Sequence, residues 1–347
     1  MTPARAPKTV CLALQGGGAH GAFTWGALDR LLEEEALEIE AISATSAGAM
    51  NAAMLKTGFV AGGREGARRQ LDRFWGGIRR GAQANVNPLA GWLAAFSPEA
   101  AQTVDRLTRA PAQYLAESFR RTLSPYDWNP LNINPLRDLL EKLIDLDLVC
   151  CDCRPHLFLS ATNVRTGKIK VFKEAEISID AVLASACLPD LFQAVEIAGE
   201  HYWDGGFMGN PALYPLFYHA ESRDIVIVHV NPIERPDLPR TAAEIRDRVN
   251  EISFNSSLLR ELRVVHFVKR LLADGRIAPG EMKDVLLHSV RDDAVIAPLG
   301  AASKVSPAPE LIDRLKAAGR GAADRFLRAH WQSLGVADTV DLRAMYD

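Results

Sequence analysis

The chain has 347 residues, 48% hydrophobic and 24% charged, with a formal net charge of −3 at pH 7. That length can bury a substantial core in an ordinary globular protein, and the near-neutral balance gives no electrostatic case for nucleic acid. No apolar run approaches the roughly 20 residues that span a bilayer, and the first nine residues lack the apolar region of a secretory signal, so the expectation is a cytoplasmic protein.

Residues 9–14 form a short apolar run that reads as a buried strand. The cluster Gly16-Gly17-Gly18-Ala19-His20-Gly21 turns the chain, and 22–32 reads as the helix that follows. A second strand over 41–44 runs into Thr45-Ser46-Ala47-Gly48, and 47–54 reads as another helix. A serine at a sharp strand-to-helix turn, flanked by small residues, has the layout of a nucleophile elbow. Its hydroxyl would lie at a helix N-terminus, where the dipole and free N–H groups favour developing negative charge.

The glycines also satisfy G-x-G-x-x-G in a strand–turn–helix context, the dinucleotide fingerprint. That reading requires an acid at the end of the second strand. Here the strand ends in Ser43-Ala44-Thr45-Ser46, and the nearest acid, Glu40, precedes it. A serine therefore stands where a nucleophile would, and acyl transfer is favoured over nucleotide binding.

The next stretch differs in texture. Residues 66–80 read as a basic helix carrying Phe74 and Trp75, 88–96 are compact and apolar, and 99–123 place apolar side chains at helical spacing. A further helix starts at Asn134-Pro135-Leu136. The region reads either as a lid or acyl-chain pocket or as an ordinary helical subdomain, and one of its helices could lie on a membrane surface. Cys150-Cys151-Asp152-Cys153 suggests a metal, but no second ligand pair with finger-like spacing lies nearby, and five cysteines over this length make no disulfide framework.

Residues 155–160 resume the sheet, and 194–197 with 200–203 read as a hairpin around Ala198-Gly199. The hairpin leads into Asp204-Gly205-Gly206, where two glycines permit close approach by another element. A serine nucleophile needs a proton acceptor. His229 and His288, each ending an apolar run, are candidates that read more simply as core or rim residues; Asp204 is the other. Beyond lie a strand over 224–228, helices over 246–272 and 310–331, and a short strand over 285–287, with Arg260, Arg263, Lys269 and Arg270 read as a solvated helix face.

The ordered set Gly16–Gly21, Ala44–Gly48 and Asp204–Gly206, with Ala184-Ser185-Ala186-Cys187-Leu188-Pro189 upstream of the aspartate, resembles the patatin-like phospholipase family. The resemblance covers roughly residues 8–230. It implies a Ser–Asp dyad with Ser46 as nucleophile and Asp204 as base, and an oxyanion hole built from the amides of Gly16, Gly17, Gly18 and Ala47. His20, Gly21, Gly48, Gly205 and Gly206 would support these groups. It further implies hydrolysis of lipid esters through an acyl-serine, no metal or cofactor, and a lipid or acyl-ester substrate with peripheral membrane contact. The runner-up is a catalytically weak lipid-binding or regulatory protein. Two positions depart from the family pattern: Ala44 replaces a glycine, and His20 stands where relatives carry Arg or Lys. An unperturbed histidine titrates at about 6.5, so a cation at position 20 would depend on pH.

The expected fold is a three-layer α/β/α sandwich with a mostly parallel central sheet. It comprises a catalytic core over 8–230 with a helical insertion at about 62–150, and a C-terminal elaboration over 231–347 packed on the core.

Overall fold

The computed structural model describes residues 6–84, 123–278, 280–300, 302–305 and 308–346. Its centre is one sheet of eight strands: β1 (Lys8–Leu14), β2 (Leu37–Thr45), β3 (His156–Asn163), β4 (Ile169–Lys173), β5 (Val195–Ile197), β6 (Glu200–Asp204), β7 (Asp224–Val228) and β8 (Leu286–Val290). The order is β5-β6-β3-β2-β1-β7-β8, with β4 also paired to β3. β3, β2, β1, β7 and β8 run parallel, while β4, β5 and β6 join antiparallel at one side.

Strands buried on both faces read as continuous apolar runs, and β1 and β7 do so. The pleat divides these runs between two cores. Val10, Leu12, Leu14, Val226 and Val228 enter one, and Cys11, Ala13, Ile225 and Ile227 enter the other. The first core is covered by α1 (Gly21–Leu31), α2 (Ala47–Ala84) and the helix Pro309–His330, which packs along α1. The second is covered through Leu216, Leu258, Leu262 and Val265 by the helices Tyr214–His219 and Ala242–Ala273. The result is the three-layer α/β/α arrangement expected from the strand–helix alternation.

Two elements differ from the sequence reading. β4 lacks a strong apolar alternation and was not anticipated; it forms because β3 offers it a free edge. The elbow helix at the start of α2 runs past residue 54 to a break at Gly62 and Gly63, whose dihedrals are non-helical, and the basic stretch at 66–80 lies in the separate helical arm beyond it, as read. The hairpin at Ala198-Gly199 is as read, with φ of 52° and 79°, a pair of positive values that matches the strand twist. The apolar stretches at 88–96 and 99–122, and the lid reading attached to them, lie outside the described residues. Among the described residues, no helix is long and apolar enough to cross a membrane.

Candidate active site

β2 delivers Ser46 to the C-terminal edge of the parallel strands. Ser46 has φ 56°, a left-handed conformation that a side-chain-bearing residue adopts only when its surroundings impose it. Its N–H donates to Ser185 Oγ at 2.9 Å, from a fully buried serine that ends the helix Ile179–Ser185. On the other side Gly16 lies so close that a Cβ there would stand 2.5 Å from the Ser46 Cβ. Ala47 opens α2, so its N–H belongs to the first turn, which has no intrahelical partner. Ala44 stays in extended β2, paired with Leu14 and Leu159, and its methyl is buried in the core. The positive φ falls on Ser46 rather than on Ala44, which is why the missing glycine is tolerated.

Asp204 arrives on β6, which pairs with β3 just past the point where β2 ends. β3 pairs Thr45 with Ser160 and, one residue on, Asp204 with Ala161. Thr162 Oγ1 donates to the Asp204 carbonyl at 2.9 Å, and the Asp204 N–H donates to the Cys187 carbonyl at 2.8 Å. Thr45 Oγ1 donates to the Gly209 carbonyl at 2.6 Å, tying the next loop to β2.

The Asp204 side chain is fully buried. Its Oδ1 accepts the Gly206 N–H at 2.7 Å. Burial pushes the pKa up to about 7, opposed by the Gly206 N–H and by the Ser46 hydroxyl. Oδ2 is buried without a hydrogen-bond partner, and the Ser46 hydroxyl lies near enough to this carboxyl to oppose the rise of its pKa.

In the glycine loop, the Gly16 N–H is already taken: it donates to Asn210 Oδ1 at 2.6 Å. Gly16 is thus an anchor, not a free oxyanion donor as the motif implied. The N–H groups of Gly17, Gly18 and Ala47 have no partner among the described residues. Gly21 and Gly48 flank the elbow, and Gly205 and Gly206 carry the chain past β3 beside Asp204.

His20 departs from the sequence expectation. It is 1% exposed, its Nε2 meets Ser303 Oγ at 2.7 Å, and its Nδ1 faces the Val230 carbonyl without completing a hydrogen bond. Burial, reinforced by Lys304 and Arg235, lowers its pKa to about 3. His20 is therefore neutral at pH 5.5 as well as at pH 7, and it supplies no titrating cation to the loop.

The alternative partners fall elsewhere. His288 bonds Asp224 Oδ1 at 2.8 Å and Thr339 Oγ1 at 3.1 Å. Asp224 opens β7 at the N-terminal edge, away from Ser46. His229 is buried with both ring nitrogens unpartnered, and burial lowers its pKa to about 3. Glu40 accepts the N–H groups of Glu221 and Ser222 at 2.7 and 2.8 Å, so the one acid near the end of β2 is committed to a loop. Cys151 and Cys153 form a disulfide, and among the described residues no group of three or more His, Cys, Asp or Glu could hold a metal. A cleft of about 600 Å³ lined by His266, Arg270 and Tyr346 holds no serine or cysteine and none of the motif residues.

Sequence reasoning did not assign Ser185, Asn210, Asn231 or Lys304 to the site. Ser185 lies in the stretch quoted before the aspartate, but nothing in its spacing shows that it holds the serine amide. The other three carry no motif.

The profile of the patatin-like phospholipases matches residues 12–217. No curated protein sequence matches. Among solved structures, VipD from Legionella pneumophila aligns at 16% identity and a TM-score of 0.41, covering 94% of this chain and 68% of that one. ExoU–SpcU, a heterodimeric complex from the type III secretion system of Pseudomonas aeruginosa, aligns at 18% identity and a TM-score of 0.34, covering 98% and 66%. The chain thus spans about two thirds of the length of each. With the family profile covering more than half of its residues, the chain belongs to the patatin-like phospholipase family.

Proposed function

We propose that the protein is a lipid acyl hydrolase whose Ser46 and Asp204 form a catalytic dyad. Membership of the family supports lipid hydrolysis; the observation that carries the finer reading is the nearness of a serine at positive φ to a buried carboxyl whose Oδ2 has no hydrogen-bond partner. Ionised Asp204 takes the Ser46 proton as Oγ attacks the ester carbonyl, and the oxyanion so formed faces the free amides of Gly17, Gly18 and Ala47. When the tetrahedral species collapses, the ester C–O bond breaks and Asp204 returns its proton to the departing alcohol. Water then adds to the acyl-Ser46, again giving a proton to Asp204. Collapse frees the fatty acid as Oγ recovers that proton.

The raised pKa suits this role. A carboxylate near its ordinary value of about 3.9 is a feeble base, whereas one poised near neutrality matches the operating pH. Preorganised amides would contribute the larger part, since loss of one oxyanion donor typically costs about a hundred- to a thousand-fold in rate. Fluorophosphonate labelling and hydrolysis of a soluble aryl ester test the reading together. Wild type should label at Ser46 and turn over, and Ser46→Ala should do neither. A folded Ser46→Ala variant that still hydrolyses the ester would refute it.

A further inference from the structure

Two asparagines grip one glycine. Asn210 Oδ1 accepts the Gly16 N–H at 2.6 Å, and Asn231 Nδ2 donates to the Gly16 carbonyl at 2.7 Å. The peptide joining Gly16 to Gly17 is trans, so its C=O and N–H point in opposite directions. Holding that carbonyl on Asn231 therefore turns the Gly17 N–H away from Asn231, and it is one of the amides without a partner among the described residues.

The Asn231 amide is itself oriented. Its Oδ1 accepts from Lys304 Nζ at 2.6 Å. An ammonium can only donate, so it dictates which end of the amide faces it and leaves the NH₂ for Gly16. The Lys304 backbone lies directly on the loop: a Cβ on Gly18 would stand 2.3 Å from the Lys304 carbonyl oxygen. No carboxylate among the described residues is in ion-pair contact with Lys304. Burial lowers its pKa, Arg235 lowers it further, and Glu251 and Asp247 oppose both. Glu251 is engaged by Arg235 and Arg248, and His20, the nearest titratable group in the loop, is neutral. A lysine side chain is thus brought to the loop from a segment far along the chain, where position 20 supplies no charge.

We infer that Lys304 and Asn231 are positioning residues that orient the Gly16–Gly17 peptide, fix the Gly17 N–H as an oxyanion donor and set a positive charge behind it. Both lie beyond the 12–217 family match. The inference rests on the Ser46–Asp204 reading for its kinetic consequence but not for its geometry.

The test compares wild type with Lys304→Met, Lys304→Arg and Asn231→Ala on a soluble aryl ester. Lys304→Met and Asn231→Ala should lower kcat by about ten- to a hundred-fold, short of losing a donor outright, with KM unchanged. Lys304→Arg should recover most of the loss, which a purely structural defect would not allow. A folded Lys304→Met protein with wild-type kcat would overturn the inference. In parallel, protein labelled with ¹⁵N-glycine reports the Gly17 amide directly, and both loss variants should move that resonance. If wild type neither labels nor hydrolyses, the reading of the site fails; the Gly17 resonance then decides this inference alone, and an unmoved signal in Lys304→Met and Asn231→Ala overturns it.

Discussion

Ser46 and Asp204 lie near each other because Thr45 and Asp204 pair with neighbouring residues of β3. Thr45, the residue before the serine, pairs with Ser160, and Asp204 pairs with Ala161. The parallel partner ends where the antiparallel partner begins, so one strand aligns two residues contributed by distant parts of the chain. In our reading of the site, removing either reacting group defeats the same step. Ser46→Ala should bring hydrolysis and covalent labelling to background. Asp204→Asn should cost at least about a hundred-fold, since an amide cannot take the proton. Far-ultraviolet dichroism should show both variants folded.

The pH profile of kcat/KM should rise through a pKa of about 7, because the base works only when ionised and burial holds its proton to that point. His20 should add no limb between pH 5 and 8, its pKa lying near 3. Stability moves the opposite way. The Asp204 pKa is raised in the folded state, so the folded protein holds this proton more tightly than the unfolded chain does. The associated stability is present below the unfolded value of about 3.9 and declines as pH rises toward 7. Asp204→Asn should therefore be the more stable protein at pH 8, with the advantage vanishing by about pH 4. Thermal melts at both pH values check the sign.

His20→Arg should destabilise the protein rather than activate it. The side chain is buried beside Lys304 and Arg235, so an arginine would bring an unpaired charge next to two others. A burden of about 3 kcal/mol or more is expected. Denaturant unfolding reads it, and a gain of activity at pH 7–8 without loss of stability would contradict it.

Ser185→Ala should leave the Ser46 N–H buried without an acceptor, costing about 1–3 kcal/mol. Because that bond helps hold Ser46 at positive φ, kcat should fall while KM on a soluble ester stays constant. Ser185→Thr, which keeps the hydroxyl, should recover part of the rate.

His288→Ala and His229→Ala should keep substantial turnover, since neither supplies the proposed base. They should differ in stability. His288→Ala strips a partner from Asp224, whose Oδ1 would keep only the Gly335 N–H, so its melting temperature should fall. His229 makes no side-chain hydrogen bond, so its loss removes packing alone. Melting curves and ester turnover of the two variants provide the comparison.

The sequence by itself determined the local structure around the site. The apolar run before Gly16 can only be a strand buried on both faces, Ala198-Gly199 accepts the positive φ of a hairpin, and small residues around Ser46 let a helix start against a strand. These features depend on neighbours a few residues apart, so they are legible in a linear pattern, and the order of the three motifs carried the family. What the tertiary structure alone decided depends on enclosure. Whether His20 is charged, whether the Gly16 amide is free, and how far the Asp204 carboxyl departs from its usual pKa are settled by groups from remote segments: Lys304 and Arg235, Asn210, and the buried surroundings of β6. Desolvation and hydrogen-bond geometry are properties of the packed volume, and spacing along the chain does not encode them.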